Sequence, residues 1–135
     1  MNLFLDTNIV VDIVKFREPY VYDAMPIFQK GEVGIHHLLI SDLTFANVAY
    51  LVRKNLAISQ WYEVLQNLRS NVQIVTVGEE CIDEALRLQA NDFEDALQYF
   101  SAKHAMADCI ITRNKKDFLF SDIPVWEPHD FITRY

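Results

Sequence analysis

Met1-Asn2-Leu3-Phe4-Leu5-Asp6-Thr7-Asn8-Ile9-Val10-Val11-Asp12 runs from an apolar stretch into a carboxylate and directly on into a helical pattern. The run up to Leu5 predicts a short buried strand, so Asp6 stands where a strand meets a helix. In open α/β sheets ligands bind beyond the carboxyl ends of the strands, which makes this junction a place for chemistry. A second junction lies at Ala107-Asp108-Cys109-Ile110-Ile111-Thr112, leading into Arg113-Asn114-Lys115-Lys116-Asp117-Phe118. Between them, Asn91-Asp92-Phe93-Glu94-Asp95-Ala96 opens a helix with three acids. Together these segments read as one cluster holding a divalent metal ion.

Short, mostly apolar runs at residues 2–5, 33–37, 73–77, 109–112 and 124–126 predict strands of a parallel sheet covered on both faces. Helical patterns fall between them at 8–15, 21–30, 42–54, 59–70, 79–89 and 93–103, with a last turn or two at 129–134 after Pro128. This alternation implies a three-layer α/β/α architecture in a single domain spanning residues 1–135. Thr7, Ser41 or Asp42, Ser59 and Asp92 are placed to cap helices, since each offers an oxygen to unpaired N–H groups. Gly31 and Gly34 mark the turn into the second strand.

A chain of 135 residues, 51% hydrophobic and with only three glycines and four prolines, has enough apolar side chain for one full core. Its 19 acidic and 12 basic residues give a net charge of −7, which argues against the broad basic face of a nonspecific DNA binder. If the substrate is nucleic acid, cations must help. Cys81 and Cys109 lack zinc-site spacing and read as reduced core residues. No basic leader precedes the first apolar run, and none reaches the roughly 20 residues a membrane helix needs, so a cytoplasmic protein without a membrane partner is expected. The helix over 43–52 has almost no polar face. It is either deeply embedded or meets a second subunit in a homodimer.

Single residues carry competing readings. Asn47 is the one strongly polar member of a helical stripe with Leu43, Ala46, Tyr50 and Leu51. Its amide either bonds a neighbouring loop or lends its carbonyl to a hard cation. Asp92 suits a helix cap. Asp95, followed by Ala96, Leu97 and Phe100 on the packed side, leans toward the core edge and reads as a ligand, whereas Glu94, about 100° further round, reads as solvent-facing. Asp117 either caps the turn around Phe118 or joins the cluster. Asp12 is expected to face solvent, and the four histidines show no ligand spacing.

Four segments in this order resemble the PIN-domain family, the metal-dependent ribonuclease fold that includes VapC-type toxins. They are Leu5-Asp6-Thr7-Asn8, Ile40-Ser41-Asp42-Leu43-Thr44-Phe45-Ala46-Asn47, Asp92-Phe93-Glu94-Asp95-Ala96-Leu97-Gln98, and Ile111-Thr112-Arg113-Asn114-Lys115-Lys116-Asp117-Phe118. The resemblance covers nearly the whole chain. It implies a parallel sheet in the order 3-2-1-4-5, Mg²⁺ or Mn²⁺ as cofactor, RNA as substrate and an antitoxin protein as partner. Carried across, Asp6 matches the first acid, Asp95 the third, and Asn114 with Asp117 the last element. The chain departs at Asn47, where many members have Glu, and at Asn114, where others have Asp. An Asn at the second position is frequent in a subset of bacterial members.

The chemistry demands a cation. Two carboxylates 4 Å apart repel by about 4 kcal/mol at an effective dielectric near 20, so a metal-free cluster must protonate, spread or bind an ion. A bound Mg²⁺ or Mn²⁺ would lower the pKa of a water and neutralise charge on a scissile phosphodiester. Asp6, Asp95 and Asp117 are the expected catalytic and metal-binding acids, with Asn114 and Asn47 completing or orienting the shell. Arg113, Lys115, Lys116, Asn8 and Thr112 are the expected substrate contacts. Lys15, Arg17, Arg53 and Lys54 are outlying candidates for phosphate contact. Two other classes compete with an endoribonuclease. Neutral Asn47 and Asn114 would leave a catalytically weakened domain that binds RNA or protein, and an aspartyl-phosphate phosphatase would use Asp6 as nucleophile. The latter class resembles Asp-x-Asp, and here the second position is Asn8.

Overall fold

In the computed structural model, which describes residues 1–135, β1 (Asn2–Leu5) lies at the centre of a five-stranded sheet. It is flanked by β2 (His37–Ser41) and β4 (Cys109–Ile111), with β3 (Gln73–Val75) and β5 (Val125–Trp126) at the edges. All four pairings are parallel, and the order is 3-2-1-4-5, as the resemblance implied. Leu3 sits opposite Leu38 on one side and Cys109 on the other. Successive strand side chains point to opposite faces, so this register sorts the core into two layers.

Leu3, Leu5, Leu38, Ile40, Cys109 and Ile111 face one way. They pack on α1 (Thr7–Val14), α2 (Val21–Glu32), α3 (Asp42–Val52), α4 (Ile58–Asn71) and α7 (Pro128–Arg134) through Ile9, Ile27, Val48, Leu68 and Phe131. Phe4, Leu39 and Ile110 face the other way, against Tyr99 and Ala102 of α6 (Phe93–His104) and Phe118. Outside α6, α5 (Gly78–Leu88) packs through Ala85 onto Ala96 and Leu97. Both sheet faces are therefore covered, which is why the strands read as continuous apolar runs. No helix is long and apolar enough to cross a membrane.

The second strand is displaced from its sequence-based position. Residues 33–37 alternate branched and small side chains like a strand, but α2 continues to Glu32 and Val33, Gly34 and Ile35 form an exposed turn. Gly34 takes a left-handed φ of +80°, which only glycine adopts without strain. The buried run starts at Leu38 and ends at Ser41, bringing the carboxyl end of β2 level with that of β1. Gly31 belongs to α2, where an added Cβ would collide with the Leu38 side chain. Likewise β3 ends at Val75, two residues short of expectation. Ala57 takes the capping position of α4 instead of Ser59, and its N–H donates to the Gln60 side chain at 3.0 Å.

Asp12 also departs from its expected solvent-facing position. It is fully buried, and its two oxygens accept from Arg113 Nε at 2.6 Å and Arg113 Nη2 at 3.3 Å, with Arg17 Nη1 3.7 Å away. The Arg113 guanidinium lies over the Tyr20 ring, 3.9 Å from its centroid. This pair ties the end of α1 to the loop after β4. Removing one partner strands a buried charge, so Asp12→Ala is expected to cost about 2–4 kcal/mol, the lower end reflecting the partial exposure of Arg113. Urea denaturation measures the loss, and an unchanged midpoint would show the pair to be dispensable.

Candidate metal centre

Asp6 ends β1 and caps α1 at once. Its N–H continues the sheet by donating to the Ile111 carbonyl at 3.0 Å. One carboxylate oxygen, Oδ1, accepts the Thr7 N–H at 2.8 Å, and the other accepts the Thr112 hydroxyl at 2.8 Å. The Gln98 and Asn8 amides stand 3.4 Å from Oδ1 and Oδ2 respectively. Only 6% of the residue is exposed. Burial raises its pKa, the hydrogen bonds from Thr112, Thr7 and Gln98 pull it partly back, and the charge of Asp92 adds to the rise.

A layer of neutral donors supports this acid. Gln98 is wholly buried, and its Nε2 reaches Thr44 Oγ1 at 2.6 Å and Thr7 Oγ1 at 3.1 Å. Thr44 Oγ1 also accepts from Ser41 Oγ at 3.2 Å and lies 2.8 Å from Thr7 Oγ1. With both its lone pairs occupied by Gln98 and Ser41, the Thr44 hydroxyl directs its hydrogen at Thr7. The Gln98 carbonyl oxygen is buried without a protein partner. Gln98 and Thr44 were absent from the expected site. The available signal was a Gln three residues after Asp95, within the apolar run Ala96-Leu97-Gln98-Tyr99, where an amide must find partners.

The outer acids come from α6 and the 3-10 turn Lys115–Phe118. Asp92 caps α6, accepting the Asp95 N–H at 3.1 Å. Asp95, Asp92, Lys116 and Asp117 line a cavity of about 340 Å³. The Asp95 pKa is pushed up to about 7, first by burial and then by the charges of Asp6, Asp92, Asp117 and Glu94. Glu94 is exposed, as its place on the helix implied, and its carboxylate accepts from Asn47 Nδ2 at 3.3 Å. Its pKa rises through burial and the charges of Asp6 and Asp92, against hydrogen bonds from Asn47 and Thr7 that lower it. The donors are carboxylate oxygens throughout, which suits a hard cation such as Mg²⁺ or Mn²⁺.

The expected substrate contacts divide by exposure. Thr112 is fully buried with its hydroxyl on Asp6, so it serves the acid and is out of reach of a polymer. The Asn8 carbonyl accepts the Arg113 N–H at 3.4 Å, and the Arg113 charge is already met by Asp12. Arg17 is likewise near Asp12, and Arg53 lies over the Tyr50 ring. Asn114, whose N–H donates to Thr112 Oγ1 at 3.1 Å, is exposed together with Lys115 and Lys116. Elsewhere, Glu80, Glu84 and His104 bring their ligand atoms within 4.8 Å of one another. The group sits nine residues along α6 from Asp95, roughly 13 Å away, and consists of exposed ion pairs of His104 with Glu84 at 2.6 Å and Glu80 at 3.9 Å.

A carboxyl whose folded-state pKa is raised holds its proton in the folded protein after the unfolded chain has released it. Metal-free protein in EDTA is therefore expected to lose stability as pH rises from about 4 to about 7 and to stay low above that. Asp95→Asn should flatten this slope and stabilise the metal-free protein at pH 8 by about 1–2 kcal/mol, after allowing for solvent screening. Urea denaturation across pH reads both effects, and a wild-type profile that climbs over this interval would contradict the electrostatics.

Comparison with known proteins follows the same architecture. Among curated proteins, none matches the sequence. A toxin–antitoxin complex from Klebsiella pneumoniae aligns with a TM-score of 0.64 and 25% identity, over 93% of this chain and 97% of the other. VapBC-1 from nontypeable Haemophilus influenzae aligns with a TM-score of 0.71 and 18% identity over 95% and 98%. VapC20 from Mycobacterium tuberculosis, described as a sarcin-ricin loop cleaving toxin, aligns with a TM-score of 0.67 and 10% identity over 90% and 98%. The PIN domain model matches residues 2–116, so the chain belongs to the PIN-domain family.

Proposed function

We propose that the protein is a Mg²⁺- or Mn²⁺-dependent endoribonuclease and the toxin of a toxin–antitoxin pair. One observation carries this reading: Asp92 and Asp95 of α6 line one cavity with Asp117, and Gln98 of the same helix reaches Asp6 and Thr7, so acids from distant parts of the chain meet at one end of the sheet. Asp6, Asp95 and Asp117 would hold the ion, with Asn114 and Asn47 completing or orienting its shell. When bound, the ion supplies a water of lowered pKa and neutralises charge on the scissile phosphate. The chain's own residues do the positioning. Thr112, Thr7 and Gln98 fix the Asp6 carboxylate by hydrogen bonds, so that it needs little reorganisation. Lys115 and Lys116, exposed beside Asp117, offer charges for backbone phosphates without reading bases.

RNA as substrate is supported by the VapC20 likeness and by the small size of the basic patch, which suits a single loop better than a long duplex. The likeness to a toxin–antitoxin complex supports a protein partner. A surface for it, or for a second copy of this chain, is available where Phe45, Tyr62, Leu65 and Arg69 line a concave patch on α3 and α4, with Tyr50, Leu51 and Ile58 exposed nearby. A binding module without catalysis is the competing reading, favoured by the neutral amide at Asn47.

Incubation with structured and single-stranded RNA separates the two. Cleavage is expected with Mn²⁺ and not with EDTA, and Asp6→Asn should slow it by at least about a hundredfold, the scale of losing a metal-held charge in the transition state. RNA retained uncut, or cut equally by Asp6→Asn, would favour the binding module.

A further inference from the structure

We infer that Glu94, held in place by the Asn47 amide, is a carboxylate of the metal centre itself, supplied from the first turn of α6 where α3 offers only a neutral side chain. This rests on the metal-dependent reading above and assigns one further residue to it. Three observations lead here. The Asn47 Nδ2 atom donates to Glu94 Oε1 at 3.3 Å, linking residues 47 positions apart in sequence. The hydroxyl chain from Ser41 through Thr44 reaches Thr7, next to Asp6, and Gln98 of α6 donates to the same Thr7 oxygen at 3.1 Å, so the start of α6 is held against the end of β1. Finally, Glu94 shares the first turn of α6 with Asp95, and Asp92 caps that turn.

An exposed glutamate has many outward rotamers, and fixing one costs up to about 1.5–2 kcal/mol of side-chain entropy. Placing it instead beside three other acids adds repulsion. A single amide contact at 3.3 Å is a modest return for both costs, since a net hydrogen bond contributes only about 1–3 kcal/mol even to a charged group. A divalent cation among the four carboxylates reverses the sign of that repulsion. The arrangement thus reads as a ligand held ready, with Asn47 as a positioning residue that aims Glu94 rather than as the donor of a charge.

Calorimetric Mn²⁺ titration of the full chain tests this without relying on RNA cleavage. Glu94→Gln is expected to weaken Mn²⁺ binding by about tenfold or more, the scale set by losing one unit charge at the ion. Asn47→Ala should weaken it by about tenfold or less, through loss of orientation. The exchange variant, Asn47→Glu with Glu94→Gln, returns the charge from α3 and should recover affinity to within about threefold of wild type. Urea denaturation in EDTA confirms that each variant folds. Wild-type affinity in Glu94→Gln, alongside lost binding in Asp6→Asn, would overturn the role of Glu94 and leave the metal centre standing. No Mn²⁺ binding by wild type, or equal binding by Asp6→Asn, would overturn both.

Discussion

Mutual repulsion among carboxylates at the end of the central strand is the constraint around which this molecule is organised. Asp6 cannot move away from it, because its backbone is part of the sheet and its side chain begins α1. Asp92 and Asp95 are fixed by the first turn of α6, and Asp117 by a turn packed under Phe118. The fold therefore concentrates negative charge where chain topology brings strand ends together. Burial first, and then the charges of the neighbouring acids, push the Asp95 pKa up to about 7, so without a counter-ion this carboxyl holds its proton.

Two kinds of support keep that charge in place. Inward of Asp6, Ser41, Thr44, Thr7 and Gln98 form a wholly neutral layer that gives hydrogen bonds without adding counter-charge. To one side, Asp12 holds the Arg113 guanidinium in a two-pronged ion pair. The Arg113 charge is thus met by Asp12, and Lys116 is the cation that shares a cavity with Asp95 and Asp117. An Arg113 left free to swing onto Asp6 would satisfy the acid internally, and the demand for a metal ion would fall.

The sheet was legible because its strands are buried on both faces and the acids punctuate them; Asp6 after Leu5 and Thr112 after Ile111 announce strand ends unaided. The second strand was misplaced because Val33, Gly34 and Ile35 imitate β alternation, while only the tertiary pairing of Asn2 with His37 shows where hydrogen bonding begins. Asp6, Asp95 and Asp117 were singled out from their place at junctions, and Asp95 and Asp117 line one cavity in the structure. Asp12 was misread, and the partner of Glu94 was missed, for one reason. Helical periodicity gives direction around an axis, but each residue's environment depends on a segment about fifty or a hundred residues away: Asn47 for Glu94, Arg113 for Asp12. Gln98 escaped attention because its neighbours are core residues and its partners are hydroxyls, which leave no charge pattern in a sequence.

The most direct measurement of the central claim is anomalous diffraction from crystals of the protein grown with Mn²⁺. The account predicts a strong peak among the carboxylates of Asp6 and Asp95, with Asp117 or its hydrogen-bonded waters completing the shell at about 2.1–2.3 Å. A peak confined to Glu80, Glu84 and His104, or carboxylates of Asp6 and Asp95 bridged by a lysine or arginine with no peak between them, would contradict it.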